Sequence, residues 1–179
     1  MTDRETTIRS VYIWVREGTW RATVDAALSL APVVGSVGSE ARFTLLHVTS
    51  PAAADAVHGA YWGLLGRGGQ DPGDRLEVLG RASAAELLEA AARRLGRPCE
   101  RLEIHGSTER AVVAASADAD LLIVARDGDR SRLGPKSLGK AARFVVDHAA
   151  CPVLLVWPEA APDVGTIPPP PHHPHHGGR

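Results

Sequence analysis

Asp120-Leu121-Leu122-Ile123-Val124-Ala125, a loop of glycines and basic residues, Leu138-Gly139-Lys140, then Phe144-Val145-Val146-Asp147-His148-Ala149-Ala150-Cys151-Pro152-Val153-Leu154-Leu155-Val156: this stretch decides the fold. Residues 121–125 are a short apolar run bounded by turn residues, the mark of a buried strand. Residues 140–149 have helical spacing, and 153–157 form a second apolar run. Strand, helix and strand in that order imply parallel strands joined by a right-handed crossover.

The same alternation continues towards the amino end. Apolar runs at 11–15, 43–48 and 100–104 read as further strands, and Ala- and Leu-rich stretches at 20–31, 83–95 and 109–117 read as helices. Thr19 and Ser107 stand where an N-cap oxygen would satisfy free N–H groups. Gly96 follows a helix at a position that suits left-handed backbone. Many alanines and only 4% aromatics let helices lie close to a sheet. The expectation is a doubly wound α/β sheet, whose ligands bind beyond the carboxyl ends of the strands. That points to residues 16–19, 49–51, 105–108 and 126–140.

Composition bounds the rest. With 179 residues, 44% of them hydrophobic and 23% charged, the chain reads as one globular domain. Twenty Lys+Arg against 21 Asp+Glu is too even for a general nucleic-acid or anionic-membrane binder. Cys99 and Cys151 cannot make a disulfide framework or a closed zinc site. The opening residues lack a basic, then apolar leader, and no apolar run approaches the ~20 residues of a membrane helix. A reducing, cytoplasmic setting is expected. The domain is expected over 8–157. Residues 158–179 hold seven of the 13 prolines and four of the eight histidines, and read as a disordered tail. Residues 58–80, with seven glycines, read as a loop, with a helical turn near 53–60.

The quoted stretch resembles the universal stress protein family. So do Leu46-His47-Val48 at the end of the second strand and Gly106 in the turn before the third helix. The resemblance implies a five-stranded parallel doubly wound sheet of the adenine nucleotide alpha hydrolase-like kind, with strand order 3-2-1-4-5. It also implies a cytoplasmic stress-response role, frequent homodimerisation and, in one branch, ATP binding. That branch has a phosphate motif Gly-x2-Gly-x9-Gly-Ser/Thr. Here Ala125, Gly128 and Gly139 take the glycine places and Lys140 the hydroxyl place, with ten residues between Gly128 and Gly139. Arg16 replaces the family's aspartate at the end of the first strand. By resemblance, Val15 and Val48 would flank a base, with Arg16 beside them. Ala125 and Gly128 would let the backbone approach phosphates, and Gly139 and Lys140 would open the phosphate-binding helix.

Physical chemistry supports an anion there in part. A helix start favours negative charge, and a lysine at it costs roughly 0.3–1 kcal/mol unless an anion is present. Arg126, Arg130, Arg132, Lys136, Lys140 and Arg143 face only Asp127 and Asp129 in the loop sequence. The alternative is a solvated loop whose charges keep the surface soluble.

Elsewhere the residues read as structural. Asp118 and Asp120 precede the fourth strand, away from the expected site. His47 packs beneath it, His105 sits in a turn and His148 closes a helix. Cys99 and Cys151 read as apolar fillers, while Trp62 could cover a ligand. His172, His173, His175 and His176 could hold a metal only loosely, so no metal site is assigned. The apolar run Val153-Leu154-Leu155-Val156-Trp157 would be an edge strand, covered by pairing with a second copy or, in a monomer, by the proline-rich tail folding back over it. Three functions stay open: a regulatory protein sensing ATP or another phosphate ligand, a nucleotide-free interaction module, and a slow ATP hydrolase. The last is disfavoured because no general base stands near the loop.

Overall fold

A computed structural model of the chain describes residues 8–34, 41–50 and 72–169. Five strands form one parallel sheet: β1 (Ser10–Trp14), β2 (Arg42–Thr49), β3 (Cys99–His105), β4 (Leu121–Ala125) and β5 (Val153–Val156). Their order is β3-β2-β1-β4-β5, as expected. Helices α1 (Trp20–Leu30), α2 (Pro72–Leu95), α3 (Thr108–Ala115) and α4 (Lys140–His148) connect them. All five residues of β4 are buried, because it is covered on both faces and flanked by β1 and β5.

Alternation along the strands sorts side chains into two apolar layers. Val11, Ile13, Leu45 and Ile123 meet Val24 and Ala27 of α1 and Leu88, Ala91 and Leu95 of α2. Trp14, Leu46, Leu122 and Val124 meet Val112 of α3 and Ala142 and Val145 of α4. Burying one such Leu, Ile or Val side chain contributes about 1.5–3 kcal/mol. The chain builds from β1 out to β3, then returns past β1 to β4. The switch point therefore lies between β1 and β4, and their carboxyl ends open the crevice in which such folds hold ligands.

Most expected bounds differ from the observed ones by one or two residues, and β4 coincides. Three corrections go further. Helix α2 begins at Pro72, not at 83, so residues 72–80 are helical rather than loop. Proline suits a first helical turn, and the later turns of α2 pack on the sheet and α1 through Leu88, Ala91 and Leu95. Thr19 and Ser107 occupy N-cap positions, but neither side chain caps its helix; the Thr19 hydroxyl donates back to the Arg16 carbonyl at 3.4 Å. Gly96 does take the left-handed form, at φ +60°.

The third correction concerns the tail. Residues 158–169 follow a defined course, with a 3-10 turn at Val164–Thr166 capped by Asp163. They run along the loop after β4: Glu159 pairs with Arg130 at 3.0 Å, and Thr166 Oγ1 accepts from Leu133 N at 3.0 Å. Val164 and Ile167 are exposed, so polar contacts rather than apolar burial hold this strap. Residues 170–179, with the four tail histidines, lie outside the described residues, as do Trp62 and the turn expected near 53–60.

Candidate functional site

The site is assembled from the ends of β1, β2 and β4. After β1, Val15 N donates to Leu46 O at 2.8 Å, and Val15 O lies 2.8 Å from His47 Nδ1, which locks the ring beneath the strand end. The Arg16 carbonyl accepts from Thr19 N and Trp20 N at 3.2 and 3.0 Å and so starts α1. Gly18, at φ +72°, makes the turn possible. The Arg16 side chain turns back over the sheet. Its guanidinium carbon lies 4.8 Å from the Trp14 ring centroid, and its Nη1 pairs with Asp127 Oδ2.

After β4 the chain closes on itself. Arg126 N donates to Val156 O at 2.9 Å, Gly128 N to Ser137 O at 2.9 Å, and Asp129 N to Lys136 O at 2.8 Å. A 3-10 turn at Pro135–Ser137 carries the return limb, and buried Ser137 accepts from Arg126 Nη1. A Cβ on Gly128 would meet Lys136 O at 2.4 Å and Gly139 N at 2.9 Å, so glycine is required for the two limbs to meet. Gly128 thus brings backbone close to backbone.

Gly139 is the N-cap of α4 and has no side chain to cap with. Asp127 supplies what is missing: its Oδ1 accepts from Gly139 N at 2.8 Å. A Cβ on Gly139 would lie 2.7 Å from that oxygen, so the glycine makes room for the carboxylate. The start of a helix favours negative charge, and here the chain's own carboxylate occupies it, only 11% exposed. Lys140, at the first position of α4, is exposed and reaches no acceptor among the described residues.

Some of the other charges of the loop find counter-charges. Asp129 accepts from Ser131 N at 3.0 Å, Ser131 Oγ at 2.6 Å and Arg132 Nε at 2.8 Å, and these bonds hold its carboxyl well below the usual range. Arg130 pairs with Glu159, and Arg143 Nη2 donates to Pro135 O. Arg126 lies over the Trp157 ring at 4.8 Å, with its Nε buried and without a partner. Of the six basic residues read along the loop, Arg130 and Arg132 pair with carboxylates, Arg126 and Arg143 donate to Ser137 and Pro135 oxygens, and the Lys136 and Lys140 side chains have no partner among the described residues.

Beside the loop a cleft of about 380 Å³ remains, lined by Arg16, His47, Val48 and Thr49 and by Ser83 and Leu87 of α2. Of the seven expected site residues only Arg16 and Val48 line it. Val15 is buried beside them, while Ala125 ends β4, Gly128 lies in the closed loop, and Gly139 and Lys140 open α4. A hollow of about 540 Å³ at the opposite end of the sheet, lined by Tyr12, Arg42, Thr44 and Arg97, sits at the amino ends of the strands, the wrong end for this fold. Behind the cleft, Thr49 Oγ1 donates to Glu103 Oε1 at 3.3 Å, and His105 Nε2 lies 3.7 Å from the same oxygen.

Sequence reading missed Asp127, Trp14, Ser137 and Glu103. The signal for Asp127 was its position one residue before a glycine of the phosphate motif. Among the remaining candidates, Asp120 Oδ2 accepts from Arg9 N and Ser10 N at 2.9 Å each, and His148 Nδ1 lies 2.9 Å from Phe144 O. Both are structural ties. Burial pushes the Cys99 and Cys151 thiols up, away from thiolate character. Among the described residues no cluster could hold a metal ion, and no helix is long and apolar enough to cross a membrane.

The model of the universal stress protein family matches residues 34–156. The chain belongs to that family. The matched stretch starts after β1 and α1, the part that contains Trp14 and Arg16. Solved structures agree on the fold. The hypothetical protein MJ0577 has a TM-score of 0.62 at 16% identity, over 87% of this chain and 99% of that one. A universal stress protein in complex with cAMP has 0.54 at 18%, over 86% and 99%. A family member from Arabidopsis thaliana with AMP bound has 0.51 at 20%, over 89% and 95%. No curated protein matches the chain.

Proposed function

We propose that this chain is a cytoplasmic, non-enzymatic regulatory protein of the universal stress family, acting as a homodimeric interaction module with no ATP in its phosphate loop. One observation carries the reading: Gly128 N, Asp129 N and Gly139 N, donors that would cradle phosphate, all bond within the chain. A triphosphate would have to break these bonds and displace a carboxylate of its own sign. Calorimetry with ATP at low salt tests this. No heat of binding at millimolar ligand is expected, and micromolar binding overturns the reading. Dimerisation would use β5, an edge strand whose four residues are all only partly buried. Antiparallel pairing with a second copy covers such an edge. Leu155→Lys should reduce the solution mass to that of one chain, and a folded variant that keeps the dimer mass removes this interface.

A second reading is favoured by the open cleft. Arg16 and Val48 line it at the carboxyl ends of the strands, and two solved structures of the same fold are complexes with cAMP and AMP. A small adenine nucleotide would sit there without entering the closed loop. Titration with cAMP and AMP separates the readings, since binding lost in Arg16→Ala belongs to the cleft.

A further inference from the structure

We infer that Asp127 is an internal anion that sets the ligand specificity of this site, holding the place of a phosphate and excluding one. The inference rests on the reading that the loop holds no ATP, and it names the residue responsible. Asp127 engages the two groups that would recognise a phosphate oxygen, an N–H at a helix start and a guanidinium: Oδ1 with Gly139 N at 2.8 Å and Oδ2 with Arg16 Nη1.

Both partners are positioned for it. Arg16 comes from β1, 111 residues away, and is held over the Trp14 ring, itself only 2% exposed. Gly139 leaves a space that any Cβ would take from the carboxylate. An ordinary surface ion pair needs neither device. Because the pair is nearly closed to solvent on the Asp127 side, a second anion arriving there would meet like charge with little screening. The cleft alongside thus favours ligands with no phosphate directed at α4. Removing the Asp127 charge leaves an unpaired guanidinium and an unneutralised helix start together, a seat for the phosphate of a nucleotide.

The test uses the full chain and ATP as probe, at low salt, with fold checked by near-ultraviolet circular dichroism. Asp127→Asn is expected to bind ATP at least tenfold more tightly than the wild type. The double variant Arg16→Ala, Asp127→Asn should lose that gain. Asp127→Ser, which keeps a small hydrogen-bonding group, serves if the asparagine variant does not fold. A folded Asp127 variant with no gain overturns the inference and reduces Asp127 to a cap of α4, while the nucleotide-free reading stands. Micromolar binding by the wild type overturns both.

Discussion

The carboxyl edge of the sheet has two halves built in opposite ways. Beyond β4, main chain meets main chain, Ser137 is buried and Asp127 fills the start of α4. Beyond β2, the space between Arg16, His47, Val48 and α2 stays open. Both halves lie where parallel sheets hold ligands. They differ in whether the polar groups there are already used. A loop rich in glycine and arginine is an anion cradle only while its donors are free. Here Gly128 serves closure, Gly139 makes room for a carboxylate, and Arg16, Arg130 and Arg132 answer carboxylates.

Glycine substitutions break this comparison most sharply. Gly128→Ala puts a methyl group 2.4 Å from the Lys136 carbonyl oxygen. Overpacking of this kind costs about 1–3 kcal/mol, and each kcal/mol lowers Tm by roughly 2–4 °C in a chain of this size. The counterpart in the open half is Gly80 of α2, which lines the cleft. Among the described residues, its added methyl group would meet only Thr49 Cγ2, at 3.9 Å, an ordinary contact. Gly80→Ala should therefore stabilise, by about 0.5–1 kcal/mol, through helix propensity. Thermal melts of the two variants should move in opposite directions, and a fall in both would remove the distinction between the halves.

The smallest effect concerns the ion pairs. Asp127 is nearly buried, whereas the pair joining α2 to α1, Arg94 with Asp25 at 2.6 Å, is largely exposed. The hydrogen bonds from Arg94 hold the Asp25 carboxyl below its ordinary value. Its contribution is therefore present above the unfolded pKa of about 3.9 and lost as pH falls through the lower, folded value. Arg94→Ala should lower Tm by no more than about 2 °C at pH 7. That difference should vanish in melts taken at progressively more acid pH.

The fold was legible because its evidence is local and repeated. Each strand run is short, apolar and bounded by turn residues, and β4 could be placed to the residue. The early turns of α2 were hidden because glycines lower helix propensity there, although Pro72 suits the first turn of a helix. The strap at 158–169 was hidden for another reason. It has no apolar period, and hydrogen bonds and an ion pair to residues 130–133 order it. Of the site, Arg16 and Val48 were found where a ligand could touch them, while the contacts of the motif glycines with Lys136 and Asp127 were not legible.

The alternation of elements was legible from hydrophobic period and spacing, the family from its motifs, and together they pointed to the edge at which such sheets hold ligands. What that edge offers was set by the packing of distant segments. Arg16 and Asp127 stand 111 residues apart and meet because β1 and β4 are neighbours in the sheet. Whether a charge is free or answered depends on which strands lie side by side.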